Sequence, residues 1–241
     1  MKMSKSILLF SLSAISVCCS YAQTADEIVN KWTTAMGGQE KLASIQSIYS
    51  ENDLDIMNNT APAKIYVLNG KGFKSETDFS GQKIIDCYTV NSGWNINPLA
   101  GQPTAAKMPE SQVKPGQLRL EAAGVLFNYA AKGSKLELLG KEEVNGKPAY
   151  KINVTTASGV KDILYLDVNT FYILKESTMM SANGQEFEIS TSFSDYRKTE
   201  NGFVMPYSSI FSLPGLSVAT TSKKIEVNKT IDPVIFDMPA N

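Results

Sequence analysis

A chain of 241 residues with 43% hydrophobic and 20% charged side chains has the composition of a folded globular protein, long enough to bury a sizeable core. Its 23 basic residues are balanced by 24 acidic ones, which leaves no cationic field for gripping phosphate and argues against nucleic acid as a partner. The lack of any His excludes a Ser-His-Asp hydrolase and removes the commonest metal ligand.

The first segment reads as a secretory leader. Lys2 and Lys5 precede an eleven-residue apolar run from Ile7 to Val17, and Ser20-Tyr21-Ala22 places small residues where a signal peptidase reads them. A membrane span takes about twenty apolar residues, and this run is shorter and broken by Ser11, Ser13 and Ser16. Residues 1–22 are therefore expected to be a signal peptide and residues 23–241 one exported domain. Cys18 and Cys19 keep a second reading open, a lipoprotein signal in which one of them becomes a lipid-anchored N-terminus. Cleavage after Ala22 removes 22 of the 241 residues and leaves 219, with one thiol, Cys87, in the apolar run Ile84-Ile85-Asp86-Cys87-Tyr88. No internal disulfide can form, and Cys87 is expected as a small buried hydrophobe.

Next comes a helix. Thr24 and Glu27 have the spacing of a capping box; Ala25, Ile28, Val29, Trp32, Ala35 and Met36 form one apolar stripe; Gly37-Gly38 supplies the stop. A short second turn, Glu40 to Ser44, leads onward. From Ile45 the hydrophobic period changes from 3.6 to 2, and turn signals divide the chain into hairpins. Asn-Gly pairs at Asn69-Gly70, Asn145-Gly146, Asn183-Gly184 and Asn201-Gly202 suit type I′ turns, because both residues tolerate positive φ. Strands are expected near 46–57, 63–69, 72–79, 82–90, 93–97, 135–144, 147–156, 161–168, 172–181, 185–198, 203–213 and 217–228.

Faces alternate along these strands. Phe187, Ile189, Thr191 and Phe193 alternate with Glu186, Glu188, Ser190 and Ser192, so one face is apolar and the other wet. One more helix is expected between the strand blocks, where Leu118, Ala122, Val125, Leu126 and Tyr129 repeat at helical spacing up to Gly133. Before it, Pro98 to Gly116 reads as a polar, proline-bearing connection that could edge a lid. A long sheet curls, so the fold class is α+β, an antiparallel sheet curved over two amphipathic helices that fill its hollow only in part.

The candidate ligand-binding walls of that hollow are Leu54, Ile56, Phe73, Tyr88, Trp94, Leu126, Phe187, Ile189, Phe193, Met205 and Phe211, with Met179 and Met180 as adaptable fillers. Each methylene moved from water onto an apolar wall yields about 0.8 kcal/mol, so a few buried carbons outweigh any polar contact that a near-neutral surface offers. The leucines of Ser212-Leu213-Pro214-Gly215-Leu216 are expected at a hairpin tip. For catalysis, Asp162 with Asp167 and Glu142 with Glu143 are the available carboxylate pairs, and neither is distinctive; no nucleophile elbow, phosphate loop or metal-ligand cluster is present in the sequence. No cofactor, metal or enzyme activity is expected.

Several segments bear a resemblance. Ala35-Met36-Gly37-Gly38 followed by Gln39-Glu40-Lys41-Leu42, Gly93-Trp94-Asn95-Ile96-Asn97-Pro98, Tyr165-Leu166-Asp167, Phe193-Ser194-Asp195-Tyr196-Arg197, and Lys224-Ile225-Glu226-Val227-Asn228 with Ile231-Asp232 resemble outer membrane lipoprotein-sorting proteins of the LolA/LolB-like superfamily, in the branch found in Bacteroidetes-type bacteria. The resemblance implies an incomplete antiparallel β-barrel, a LolA-like half barrel, enclosing a hydrophobic cavity for acyl chains. It implies a periplasmic carrier of a lipid or acylated lipoprotein, with a sorting partner at the outer or inner membrane. The best-studied carriers latch a helical lid with an arginine on an early strand, whereas Ile45 to Phe79 contains no Arg, so that feature does not carry over. The alternative is a non-transporting envelope sensor or protein-interaction module on the same fold.

Overall fold

A computed structural model describes residues 23–182 and 184–240; the expected leader, residues 1–22, and Asn183 of the expected Asn183-Gly184 turn lie outside them. Helix α1, Ala25–Ala35, begins as the capping box requires: the Glu27 N–H donates to the Thr24 hydroxyl and the Thr24 N–H to the Glu27 carboxylate, each at 3.2 Å. Gly37 and Gly38, at φ 112° and 95°, end it, and the five-residue α2, Gln39–Ala43, follows.

The sheet has thirteen strands. They are β1 Ser47–Ile56, β2 Asn59–Leu68, β3 Gly72–Phe79, β4 Gln82–Thr89, β5 Gly93–Asn97 and β6 Gln102–Lys107. After the short helix α3, Glu110–Gly116, come β7 Lys135–Val144, β8 Lys147–Thr155, β9 Lys161–Asp167, β10 Ile173–Ala182, β11 Gln185–Lys198, β12 Val204–Leu213 and β13 Leu216–Val227. The order is β6-β5-β4-β3-β2-β1-β13-β12-β11-β10-β9-β8-β7, with antiparallel pairing throughout. Two meanders thus join where β1 meets β13, with Ile48 opposite Val227 and Ile56 opposite Val218.

The sheet curls without closing. α3 packs against both β5 and β10, which stand eight places apart in the sheet. In a flat sheet eight spacings are roughly 38 Å, whereas a helix of seven residues is about 10 Å long. Only curvature brings both flanks to α3, while β6 and β7 remain unpaired edges. The inner face of β8 and β9, with Ile152, Val154, Leu164 and Leu166 all fully buried, packs on Ile28, Val29 and Trp32 of α1 and on Leu126 and Phe127. A second inner cluster puts Val67 and Phe73 against Leu120. On the outer face, Cys87, Trp94 and Ala105 are covered by Phe236, from the 3₁₀ turn Pro233–Phe236 near the C-terminus.

Three expectations change. The second helix does not form over Leu118 to Gly133: α3 lies earlier, Gln117–Leu120 is a 3₁₀ turn, and turns follow. Gly124 and Asn128, at φ +83° and +51°, break the helical path, although Leu126 and Tyr129 still reach the core as their spacing suggested. The stretch read as a polar connection contains β6, which admits Pro103 because it is an edge strand. The first hairpin is longer than expected, turning at Met57-Asn58, whose φ values of 52° and 64° give a left-handed pair with no Gly to announce it. Of the Asn-Gly pairs, Asn145-Gly146 has both residues at positive φ, as the type I′ reading required. Among the described residues no helix is long and apolar enough to cross a membrane.

Candidate functional site

Register decides which apolar residues share a wall. Ile56 lies opposite Val218, Val218 opposite Phe211, Phe211 opposite Thr191 and Thr191 opposite Glu176, so one row crosses five neighbouring strands. Parallel rows place Leu54 opposite Ala61 and Thr220, Phe187 opposite Met180, and Ile189 opposite Thr178. This is the inner face, the same one that carries Leu164 and Ile152 into the core further along. Leu54, Ile56, Phe187, Ile189, Phe193 and Phe211 are all partly exposed there, and none belongs to a packed cluster.

The other expected wall residues lie elsewhere. Phe73 and Tyr88 are on the inner face but pack with Leu120, and Tyr88 is pressed so closely under Gly116 that a methyl group there would overlap its ring. Leu126, 1% exposed, and Met205 belong to the core around α1. Trp94 is not brought to the hollow at all: it sits on the outer face and donates its indole N–H to the Phe236 carbonyl at 2.9 Å. Alternation along β5 puts Gly93 on the inner face instead, so the Trp94 reading took the wrong side of the strand. Met180 joins the apolar strip, whereas its neighbour Met179 is 55% exposed. Leu213 and Leu216 pair across the β12–β13 hairpin and continue the inner strip.

The strip is an open wall of a trough. Cavities of about 250 and 230 Å³ occur away from it, one beside Thr199 to Asn201 and Ile225 to Lys229, the other beside Lys114, Leu118, Lys132 and Thr156 to Ser158.

Where the strip meets the packed end, the inner wall becomes acidic. Asp162 lies opposite Thr178 on the row of Ile189, and Glu176 is its diagonal neighbour one step along β10. Asp86 stands on the far flank, opposite Ser75 and Asn95. Asp162 is 3% exposed. Among the described residues none of these three carboxyls has a hydrogen bond or an ion pair. Burial pushes the Asp162 carboxyl well above the ordinary range, and the negative charge of Glu176 adds to the rise. Burial likewise raises Glu176 and Asp86, with the Arg119 guanidinium pulling both the other way. Arg119 projects from the 3₁₀ turn over the Phe73 ring, 5.1 Å from its centre, and is itself exposed.

The carboxylate pairs singled out for catalysis are not united. Asp167 faces the other side of β9 from Asp162 and accepts the N–H groups of Asn169 and Thr170 at 2.8 Å, a turn-capping role; Glu142 is paired with Lys151 at 2.8 Å. Glu176 and Asp86 escaped notice because only the register shows that they share a wall with Asp162. Among the described residues no group of three or more acidic or thiol side chains is close enough to hold a metal ion. Cys87 is fully buried, its thiol pushed up to about 12 chiefly by burial, in keeping with the reading as a packed hydrophobe.

No protein-family model and no curated protein matches this sequence. Solved structures do match in fold. A domain named for outer membrane lipoprotein sorting, from Vibrio parahaemolyticus, aligns with a TM-score of 0.54 at 15% identity, covering 88% of this chain and 95% of that one. A DUF1329 family protein from Desulfovibrio piger gives 0.56 at 15% identity over 90% and 98% of the two chains. A LolA superfamily protein from Nitrosomonas europaea gives 0.55 at 14% identity over 88% and 97%. The large open antiparallel sheet with its few helices is thus similar in fold to these structures, among them a LolA superfamily protein.

Proposed function

We propose that this protein is an exported, periplasmic carrier or binding protein that lays the acyl chain of a lipid or lipoprotein along the inner wall of the trough. The observation that carries this reading is the strip of Leu54, Ile56, Phe187, Ile189 and Phe211, partly exposed, inward-facing and outside every packed cluster of the described residues. Contiguous apolar surface left uncovered inside a curved sheet is costly unless a partner covers it. At about 25 cal/mol per Å² of apolar area removed from water, a chain of a dozen methylenes has enough gain to overcome the entropy of association. The likeness of fold to a lipoprotein-sorting domain supports the same ligand class. The leader-like residues 1–22 support export, and the reading rests on binding rather than on chemistry.

The test is uptake of a fluorescent fatty acid by the purified protein, together with mass spectrometry of organic extracts. Phe187→Glu and Phe211→Glu are expected to abolish uptake while the circular dichroism spectrum is retained, because both side chains lie outside the packed clusters and a charge there repels an acyl chain without emptying the core. Absence of both extracted lipid and probe uptake in the unmodified protein overturns the reading.

A further inference from the structure

Buried carboxyls without a single partner are rare, since nearly all buried polar groups in folded proteins are hydrogen-bonded. Asp162 is one, and Glu176 and Asp86, partly exposed and likewise without a partner among the described residues, line the same inner face. Asp162 and Glu176 stand on one flank, Asp86 on the other, and the Arg119 guanidinium is within electrostatic reach of Glu176 and Asp86. Asp162 is 97% buried, has no partner among the described residues, and lies on the inner wall beside Glu176. The three do not converge closely enough for a metal ion, which leaves a larger hydrogen-bond donor as the group that would satisfy them.

The rows of the sheet connect this polar end to the apolar strip. Ile189 leads through Thr178 to Asp162, and Phe211 through Thr191 to Glu176. An amphiphile lying along the strip therefore has its head among the carboxyls when it enters head first. We propose that the trough selects amphiphiles whose head carries a primary ammonium group, held by Asp162 and Glu176, with an adjoining phosphate turned toward Arg119. An ammonium offers three donors and a positive charge to acceptors that have neither, and charge-assisted hydrogen bonds are stronger than neutral ones. Arg119, with no ion pair within 4 Å among the described residues, supplies the complement for an anionic oxygen.

This inference rests on the acyl-binding reading, and the experiment separates the two. The full chain is loaded with a fluorescent fatty acid, which is displaced by palmitoyl lysophosphatidylethanolamine, palmitoyl lysophosphatidylglycerol or palmitylamine. The first two share chain and phosphate and differ in the amine. The ethanolamine lipid is expected to displace the probe at about tenfold lower concentration than the glycerol lipid, the ratio set by one charge-assisted contact. In the Asp162→Asn, Glu176→Gln double variant that ratio is expected to fall to about one. Asp162→Asn alone gives a second reading should the double variant fail to fold, and is expected to reduce the ratio in part. Equal displacement by the two lipids, or a preference that survives the substitutions, overturns the head-group assignment alone. Failure of every amphiphile to bind overturns the acyl reading with it.

Discussion

At the scale of single residues, Asp162 carries the clearest consequence. An ordinary carboxyl in an unfolded chain ionises near pH 4, while the folded protein holds this one protonated to higher pH because burial and the neighbouring Glu176 both oppose the charge. Between those two values the unfolded chain has released a proton that the folded chain still binds. Folding stability therefore falls as pH rises from about 4 through the raised native value. Asp162→Asn removes the ionisation and keeps the shape. It is expected to raise the melting temperature at pH 8, by about 2–4 °C for each kcal/mol recovered, and to change little near pH 4. Melting curves across that range check it; a variant less stable than the parent at pH 8 would mean that the native carboxylate is ionised and satisfied there.

At the scale of elements, what the sequence revealed depended on whether periodicity alone determines the outcome. α1 was legible to its cap, because Thr24, Glu27 and the stripe of Ile28, Val29 and Trp32 are local signals that all agree. The segment after Pro115 was not, because its apolar spacing is helical while Gly124 and Asn128 adopt positive φ, and a contact-driven turn placed Leu126 and Tyr129 in the core without a helix. β6 hid for the opposite reason: Pro103 signals a break, yet an edge strand tolerates it. The C-terminal turn Pro233–Phe236 shows a further kind of blindness, since nothing local says that Phe236 will close the outer face. Its ring lies so close to Gly72 that a methyl group there would sit 2.6 Å from it, and its carbonyl meets both the Trp94 indole and the Cys87 thiol. Phe236→Ala should thin this cover. Cys87, 0% exposed in the intact protein, is expected to pass from inert to readily alkylated by iodoacetamide at mildly alkaline pH, read by mass spectrometry of the peptide containing it. Unchanged labelling would show that the neighbouring Ile231 and Ile235 suffice to cover it.

At the scale of the whole molecule, burial is unevenly shared along one continuous sheet. Ile152, Val154, Leu164 and Leu166 in β8 and β9 are fully buried against α1, whereas Phe187 and Ile189 in β11 and Phe211 in β12 are partly exposed on the same inner face. Alternation along each strand showed from the sequence that such residues share a face; which of them the helices cover depends on the register and on the path of residues 110–133, and neither is local information. Local opening costs less where fewer apolar contacts are broken, so the two regions should differ in kinetic protection although their backbone ladders are alike. In hydrogen exchange, amides of Ile152 to Val154 and Leu164 to Leu166 are expected to exchange last, and those of Phe187 to Ile189 and Ile210 to Ser212 early. A bound acyl chain would add the missing contacts only to the second group, and mass action stabilises whichever states bind it. Saturating fatty acid should therefore slow exchange in β11 and β12 by much more than in β8 and β9. Uniform slowing across the sheet, or none, would show that the guest does not lie on the strip.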